Sequence, residues 1–240
     1  MTEQKLAAVL FDLDGTLLPM DQDVFTRAYF KLLAQCFAPE GYPPEEMIQA
    51  VWAGTAAMVK NDGSRTNEAA FWSRFEGVFG ARVRTDRPKF DNFYAVEFQR
   101  AREACGFNPK AAAAVSLCRE LGLRRILATN PLFPLHASES RARWAGLEPG
   151  DFELITSYEN SRYCKPNPDY YREIIAKCGL DPAACLMVGN DADEDSAAAQ
   201  TGMRVFLLTD CLINKSDRDL SPFPRGDFDA LCAFLRANAG

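Results

Sequence analysis

The chain has 240 residues, enough for one large domain or for a core domain carrying a smaller insert. Its 48% hydrophobic and 25% charged residues are ordinary for a globular chain and exclude a disordered one. The formal charge of −6, with no cluster of Lys and Arg, argues against a partner bound through its phosphate backbone, so no nucleic-acid partner is expected.

In chain order, the first element is the apolar run at residues 6–11, of strand length and followed by polar and turn residues. Residues 19–105 read differently, being helix-rich with no clear strand. Phe25, Tyr29, Leu32 and Cys36 lie at helical spacing, and Pro44 with Glu45 and Glu46 makes a good helix start. Phe71, Phe75 and Phe79 recur at every fourth position, as do Phe90, Tyr94 and Phe98, and such stripes read as core packing. Asn108-Pro109 then predicts a capped helix stopping near Gly122. Apolar runs at residues 125–129, 152–156, 184–188 and 203–208 predict four more strands. Asn167-Pro168 and Gly179 punctuate a helix between two of them, and a last helix is expected over 227–237. Continuous apolar runs alternating with helices predict a doubly wound α/β core with a parallel, Rossmann-like sheet. The expected division is a core of residues 1–18 and 106–240 and a helical cap of residues 19–105 inserted after the first strand.

None of the 8 cysteines forms a C-x-x-C pair, so they read as reduced core thiols of a cytoplasmic protein. No stretch is long enough for a secretory signal or a membrane span, and no membrane partner is expected. The only histidine is His136, and its neighbours give no support to a histidine-based dyad or triad.

The strongest chemical signal is Asp12-Leu13-Asp14-Gly15-Thr16, directly after the first strand. Alternate residues of an extended chain point the same way, so Asp12 and Asp14 can share one site while Phe11 and Leu13 pack. One carboxylate can attack phosphorus and its neighbour can move a proton. Further along, Asp191, Asp193, Glu194 and Asp195 form an acidic cluster that also reads as a solvated helix start. If Asp191 and Asp195 face each other one helical turn apart they repel, and a hard cation would relieve that repulsion.

These residues resemble the four ordered motifs of the haloacid dehalogenase (HAD) superfamily. Asp12-x-Asp14-Gly-Thr is similar to the first motif and Thr129-Asn130 to the second. Lys165, in Lys165-Pro166-Asn167-Pro168, is similar to the third, and Gly189-Asn190-Asp191 with Asp195 to the fourth. The fourth departs from the common pattern, because Asn190 stands directly after the glycine where many members have Asp. Asp191 is favoured as the metal position, with Asn190 as the alternative and Asp195 in support.

The resemblance implies a Mg²⁺-dependent phosphatase acting on a small phosphorylated metabolite. Asp12 would be the nucleophile, forming an aspartyl-phosphate, and Asp14 the general acid and base. Thr129, Asn130 and Lys165 would hold the phosphoryl group, and Mg²⁺ would rest on Asp12, the Asp14 carbonyl and Asp191 or Asp195. A phosphomutase, a phosphonate hydrolase using a cap lysine (Lys31, Lys60 or Lys89), and a catalytically silent phosphate-binding protein are the alternatives. The insert occupies the position of the family's helical cap. Its polar loop at residues 60–65 is either a plain surface loop or a substrate contact through Asn61 and Arg65.

Overall fold

The computed structural model describes residues 4–240. Its sheet contains β1 (Ala8–Phe11), β2 (Arg124–Leu127), β3 (Leu154–Ile155), β4 (Cys185–Gly189), β5 (Arg204–Leu208) and β6 (Arg225–Gly226). The first five coincide with the five apolar runs. The sixth has no counterpart among them, because two residues, one of them exposed Arg225, carry no periodic signal.

The strand order is β3-β2-β1-β4-β5-β6 and every pairing is parallel. Phe11 lies in register with Leu127 on one side and Val188 on the other, so the carboxyl ends of the three central strands are level. The order switches direction around β1, where an open α/β sheet leaves a ligand crevice at the strand ends.

Successive β1 side chains pack on opposite faces. Val9 and Phe11 join Ala114 and Val115 of α5 (Pro109–Glu120) and Leu231 and Leu235 of α8 (Phe228–Asn238). Ala8 and Leu10 join Tyr170, Tyr171 and Ile174 of α7 (Pro168–Cys178). The helix starts follow the expected chemistry. Asn108 Oδ1 accepts the Lys110 N–H at 3.0 Å, and Asn167 Oδ1 accepts the Asp169 N–H at 2.9 Å.

Between β1 and α5 the chain forms α1 (Gln22–Phe37), α2 (Pro44–Val59), α3 (Asn67–Phe79), α4 (Arg82–Ala95) and a 3₁₀ turn at Glu97–Ala104. The helical character of this insert is as expected. The aromatic stripe through Phe98 is not continuous, because α4 ends at Ala95 and Phe98 lies in the 3₁₀ segment. Gln99 Nε2 caps the freed Tyr94 carbonyl at 2.9 Å, and Phe98 still packs 5.3 Å from the Tyr94 ring. The two crossings between insert and core lie side by side. Met20 bridges Cys105, and the Gly106 N–H donates to the Pro19 carbonyl at 2.7 Å.

The remaining core helix is α6 (Leu135–Trp144), after β2. Among the described residues, no helix is long and apolar enough to cross a membrane.

Candidate active site

Asp12 directly follows β1, and its N–H donates to the Val188 carbonyl at 2.9 Å in the last rung of the ladder with β4. Its side chain is held from two sides. Lys165 Nζ lies 2.8 Å from Asp12 Oδ1, and the Thr16 hydroxyl lies 3.1 Å from Oδ2. The same hydroxyl reaches Asn190 Oδ1 at 2.8 Å, tying the end of β1 to the end of β4. The turn needs Gly15, whose φ is +85° and where a methyl group would collide with the Asn190 amide.

Lys165 is fully buried and also bonds Asp195 Oδ1 at 2.7 Å. Burial alone would drive off its proton. Asp12 and Asp195 outweigh that effect, so the ammonium stays charged well above the ordinary lysine range. The lysine is thus no exposed residue at a helix start. Asp195 reaches it by passing over Gly189, where any side chain would overlap its carboxylate.

The acidic cluster departs from expectation. Residues 191–195 form a single turn closed by Asp195 N–H to the Asp191 carbonyl at 2.9 Å, and the segment continues as a 3₁₀ turn at Ser196–Thr201 rather than an α-helix. The Asp191 and Asp195 carboxylates do not oppose each other. Asp191 Oδ1 accepts the N–H groups of Asp193 and Glu194 at 2.8 and 2.9 Å, whereas Asp195 turns inward to Lys165 and accepts the Asp191 N–H. Free backbone donors and a buried ammonium have absorbed both charges. Asp193 points away, to the Ser216 hydroxyl at 2.6 Å and to Arg218.

Asp14 forms an ion pair with Arg141 of α6, a fully buried guanidinium whose carbon lies 4.4 Å above the Phe133 ring. Burial pushes the Asp14 carboxyl above the usual carboxylate range. Arg141 pulls it down and Asp12 pushes it up. Asp14 Oδ1 is buried with no partner. Arg141 is the site residue that sequence reading missed. Its one signal is its place among Ala137, Ser138 and Ala145, a stripe of small residues at helical spacing that marks a buried face.

Thr129 and Asn130 follow β2. The Thr129 carbonyl accepts the Thr156 hydroxyl at 2.6 Å and the Tyr170 hydroxyl at 2.9 Å, which fixes the strand end. Asn130 Nδ2 donates to both Glu194 oxygens at 3.1 Å, and its Oδ1 accepts the Lys165 N–H at 3.3 Å. Burial pushes the Glu194 carboxyl up to about 8.

A cavity of about 320 Å³ opens over these groups, lined on the core side by Asp12, Asp14, Thr129, Asn130, Asp191 and Glu194. Asn190 and Asp195 also reach it, and the insert supplies the other wall. Asn61 and Arg65 do not line it. The 60–65 loop rests on the core at Tyr163, against which Gly63 is packed, and Asn61 Nδ2 is spent on the Arg65 carbonyl and Asn67 Oδ1, both at 2.9 Å. His136 is exposed and lies outside the site.

For a cation, the expected donors are the Asp12 carboxylate, the Asp14 carbonyl and Asp191 or Asp195. Asp195 is engaged by Lys165 and the Asp14 carboxylate by Arg141. Among the described residues, no three Asp, Glu, His or Cys side chains form a ready cage. Asp12 and Asp191 also line the cavity, and each keeps an oxygen clear of those bonds: Asp12 Oδ2 meets only the Thr16 hydroxyl, and Asp191 binds the backbone through Oδ1 alone. That set fits Mg²⁺, which favours one or two carboxylates and keeps several waters.

A family model described as haloacid dehalogenase-like hydrolase matches residues 6–202. Hexitol phosphatase B of Escherichia coli K12 is 33% identical over 100 residues, covering 42% of this chain and 44% of that protein, so the match spans less than half of its length. The 2-haloacid dehalogenase of Pseudomonas syringae pv. Tomato DC3000 shares the fold at TM-score 0.63 and 18% identity, over 97% of this chain and 99% of that one. The HAD-hydrolase YfnB of Bacillus subtilis, solved with magnesium bound, does so at TM-score 0.55 and 17% identity, over 97% and 99%.

Proposed function

Because the chain belongs to the haloacid dehalogenase-like hydrolases, we propose that it is a phosphatase of a small phosphate monoester, working through an aspartyl-phosphate on Asp12. The observation that carries this reading is Asp14. It stands two residues beyond a carboxylate pinned by Lys165, on the same cavity wall, with its carboxyl raised by burial. A halide leaves without a proton, whereas an alkoxide leaving group needs one.

In the first step an Asp12 oxygen bonds to phosphorus as the ester P–O bond breaks, and the Asp14 carboxyl gives its proton to the departing oxygen. In the second, Asp14 takes a proton from a water molecule as that water attacks phosphorus. The acyl–phosphate bond breaks, inorganic phosphate leaves and both carboxyls are restored. Lys165 orients Asp12 and balances charge on the transferring group, and Thr129 and Asn130 border the same space. Mg²⁺, held by Asp12, the Asp14 carbonyl and Asp191 or Asn190, would neutralise phosphoryl charge. The magnesium named in the YfnB structure supports that choice.

Residues 19–105 act as the cap over a core of residues 1–18 and 106–240, a division supported by the paired crossings at Pro19–Gly106 and Met20–Cys105. The phosphonate hydrolase alternative loses support, since Lys31, Lys60 and Lys89 do not line the cavity. The deciding experiment is hydrolysis of 4-nitrophenyl phosphate with Mg²⁺. Wild type turns over, chelation stops it, and Asp12→Asn abolishes it. Wild-type turnover by Asp12→Asn would end the assignment.

A further inference from the structure

The cavity over Asp12 has two unlike halves. The core half carries the acids and amides already described. The cap half is built from α1 to α4, and its surface is dominated by Phe25, Phe30, Trp52, Phe71, Trp72 and Phe90. None of the residues these four helices contribute is charged. Their polar members are Gln22, Thr26, Thr55 and the phenols of Tyr29 and Tyr94, and the two phenols are bonded to each other at 3.1 Å.

Among the described residues lining the cavity, Lys215 is the only basic one, and it belongs to the core. It lies two residues beyond Ile213, whose N–H donates to the Asn190 carbonyl at 2.8 Å. The cap wall itself offers no cation to a second anionic group reaching into it, and the one buried cation near its phenols, Arg141, is paired with Asp14. A carboxylate or second phosphate placed there would lose its water against aromatic rings, and, with the two phenols paired, Gln22, Thr26 and Thr55 are the cap groups left to meet a row of hydroxyls.

An apolar group gains in the same place, by about fourfold in affinity for each methylene buried. At about 320 Å³ the cavity lies at the small end of ligand pockets, too small for a nucleotide or a lipid chain beside the phosphate.

We infer that the substrate is a phosphate monoester of an uncharged alcohol carrying one aryl ring or a short alkyl group, with the organic part seated among Phe25, Phe30, Trp52, Phe71 and Phe90. This rests on the phosphatase reading above. It separates the chain from enzymes that must hold a second anion or a polyol.

The test compares kcat/KM, with Mg²⁺ present, for methyl, butyl and benzyl phosphate against 2-phosphoglycolate and sorbitol 6-phosphate. The expected result is a rise from methyl to butyl to benzyl, with benzyl phosphate at least tenfold above the last two. Equal or higher kcat/KM for phosphoglycolate or sorbitol 6-phosphate overturns the substrate class while leaving the phosphatase intact.

Loss of turnover on every ester, 4-nitrophenyl phosphate included, would instead sink the phosphatase reading. Calorimetry then still decides the class. Tighter binding of benzylphosphonate than of phosphonoacetate upholds it, and the reverse order rejects it.

Two variants locate the organic group. Trp52 is 53% exposed, so Trp52→Ala folds, and it should lower the benzyl-to-methyl ratio at least fivefold. Thr55→Arg should narrow the gap between phosphonoacetate and benzylphosphonate. Unchanged ratios in both variants would place the organic group elsewhere and overturn the inference.

Discussion

The Arg141 guanidinium acts on Asp14 in two opposed ways. It fixes one carboxylate oxygen and lowers a pKa that burial has raised, while leaving Oδ1 without a partner and free for a leaving oxygen or a water. Replacing Arg141 with Met removes the lowering effect. The Asp14 carboxyl then rises further, and the limb of the pH profile of kcat that Asp14 controls should move to higher pH while kcat falls by about 100-fold. Arg141→Lys should recover part of both. An unmoved limb in Arg141→Met would reduce the arginine to a packing role. A second prediction separates Asp191 from Asp193. Asp191 faces the cavity and Asp193 is spent on Ser216 and Arg218. Asp191→Ala should raise the Mg²⁺ concentration for half-maximal activity by about tenfold or more, and Asp193→Ala should leave it in place. Equal titrations would remove Asp191 from the metal site, and an effect confined to Asn190→Ala would move the position by one residue. The proximity of Asp12, Asp14, Thr129, Lys165 and Asp195 was legible through the resemblance of these residues to four motifs that follow one another in a known order. Arg141 was not, because an arginine within a helix reads as solvent-facing until its ion-pair partner is known. The face-to-face arrangement of Asp191 and Asp195 failed for a related reason. Spacing says nothing of which backbone donors and ammonium groups compete for a carboxylate.

At the scale of elements, capping residues and apolar runs carried most of the information. Asn108, Asn167 and Asp227 each accept a backbone N–H at the helix start their position predicts. The interruption between α4 and the 3₁₀ turn was hidden, since Phe98 keeps its packing whether or not the helix continues. One polar junction inside the insert supports a stability test. Asp86 on α4 bonds Lys89 at 3.0 Å, the Tyr42 hydroxyl at 2.8 Å and Arg82, joining α4 to the α1–α2 connection. The hydrogen bonds from Lys89 and Tyr42 hold its carboxyl below the usual carboxylate range. A depressed folded value means the stabilisation is present above the unfolded pKa and is lost as pH falls through the folded one. Asp86→Asn should therefore cost about 1–2 kcal/mol at pH 7. The gap to wild type should close below about pH 4, as read by urea unfolding at several pH values. A gap that stays constant down to pH 3 would show that the ionised carboxylate contributes nothing.

At the scale of the whole molecule, the sheet order follows from alternating strands and helices, but the docking of the insert on the core does not, because its contacts are made by residues far apart in the chain. Two sets of contacts among them bear on the cavity. One is aromatic, with Phe133 lying 5.4 Å from Tyr29, 6.3 Å from Phe25 and 6.2 Å from Phe98. The other is polar and sits at the start of α3. There the N–H groups of Asn67 and Glu68, which the helix itself cannot satisfy, donate to the carbonyls of Ser161 and Tyr158 at 2.8 Å. The buried Asn67 amide adds contacts to the Pro131 and Tyr163 carbonyls at 3.4 and 3.3 Å, just beyond the end of β2 and just before Lys165. Any motion that lifts α3 from the core must break this set, so Asn67 is placed to hold the cap closed over the cavity. Asn67→Ala should lower global stability by about 1–3 kcal/mol, because it leaves the Asn61 amide and two carbonyls short of a partner. Its local effect should be larger than its global one. Amide exchange at residues 66–70 and 158–164 should accelerate, while the β1 and β4 amides stay protected to the limit set by global unfolding. Acceleration spread evenly over the chain would mean that Asn67 supports the fold as a whole and has no special part in cap closure.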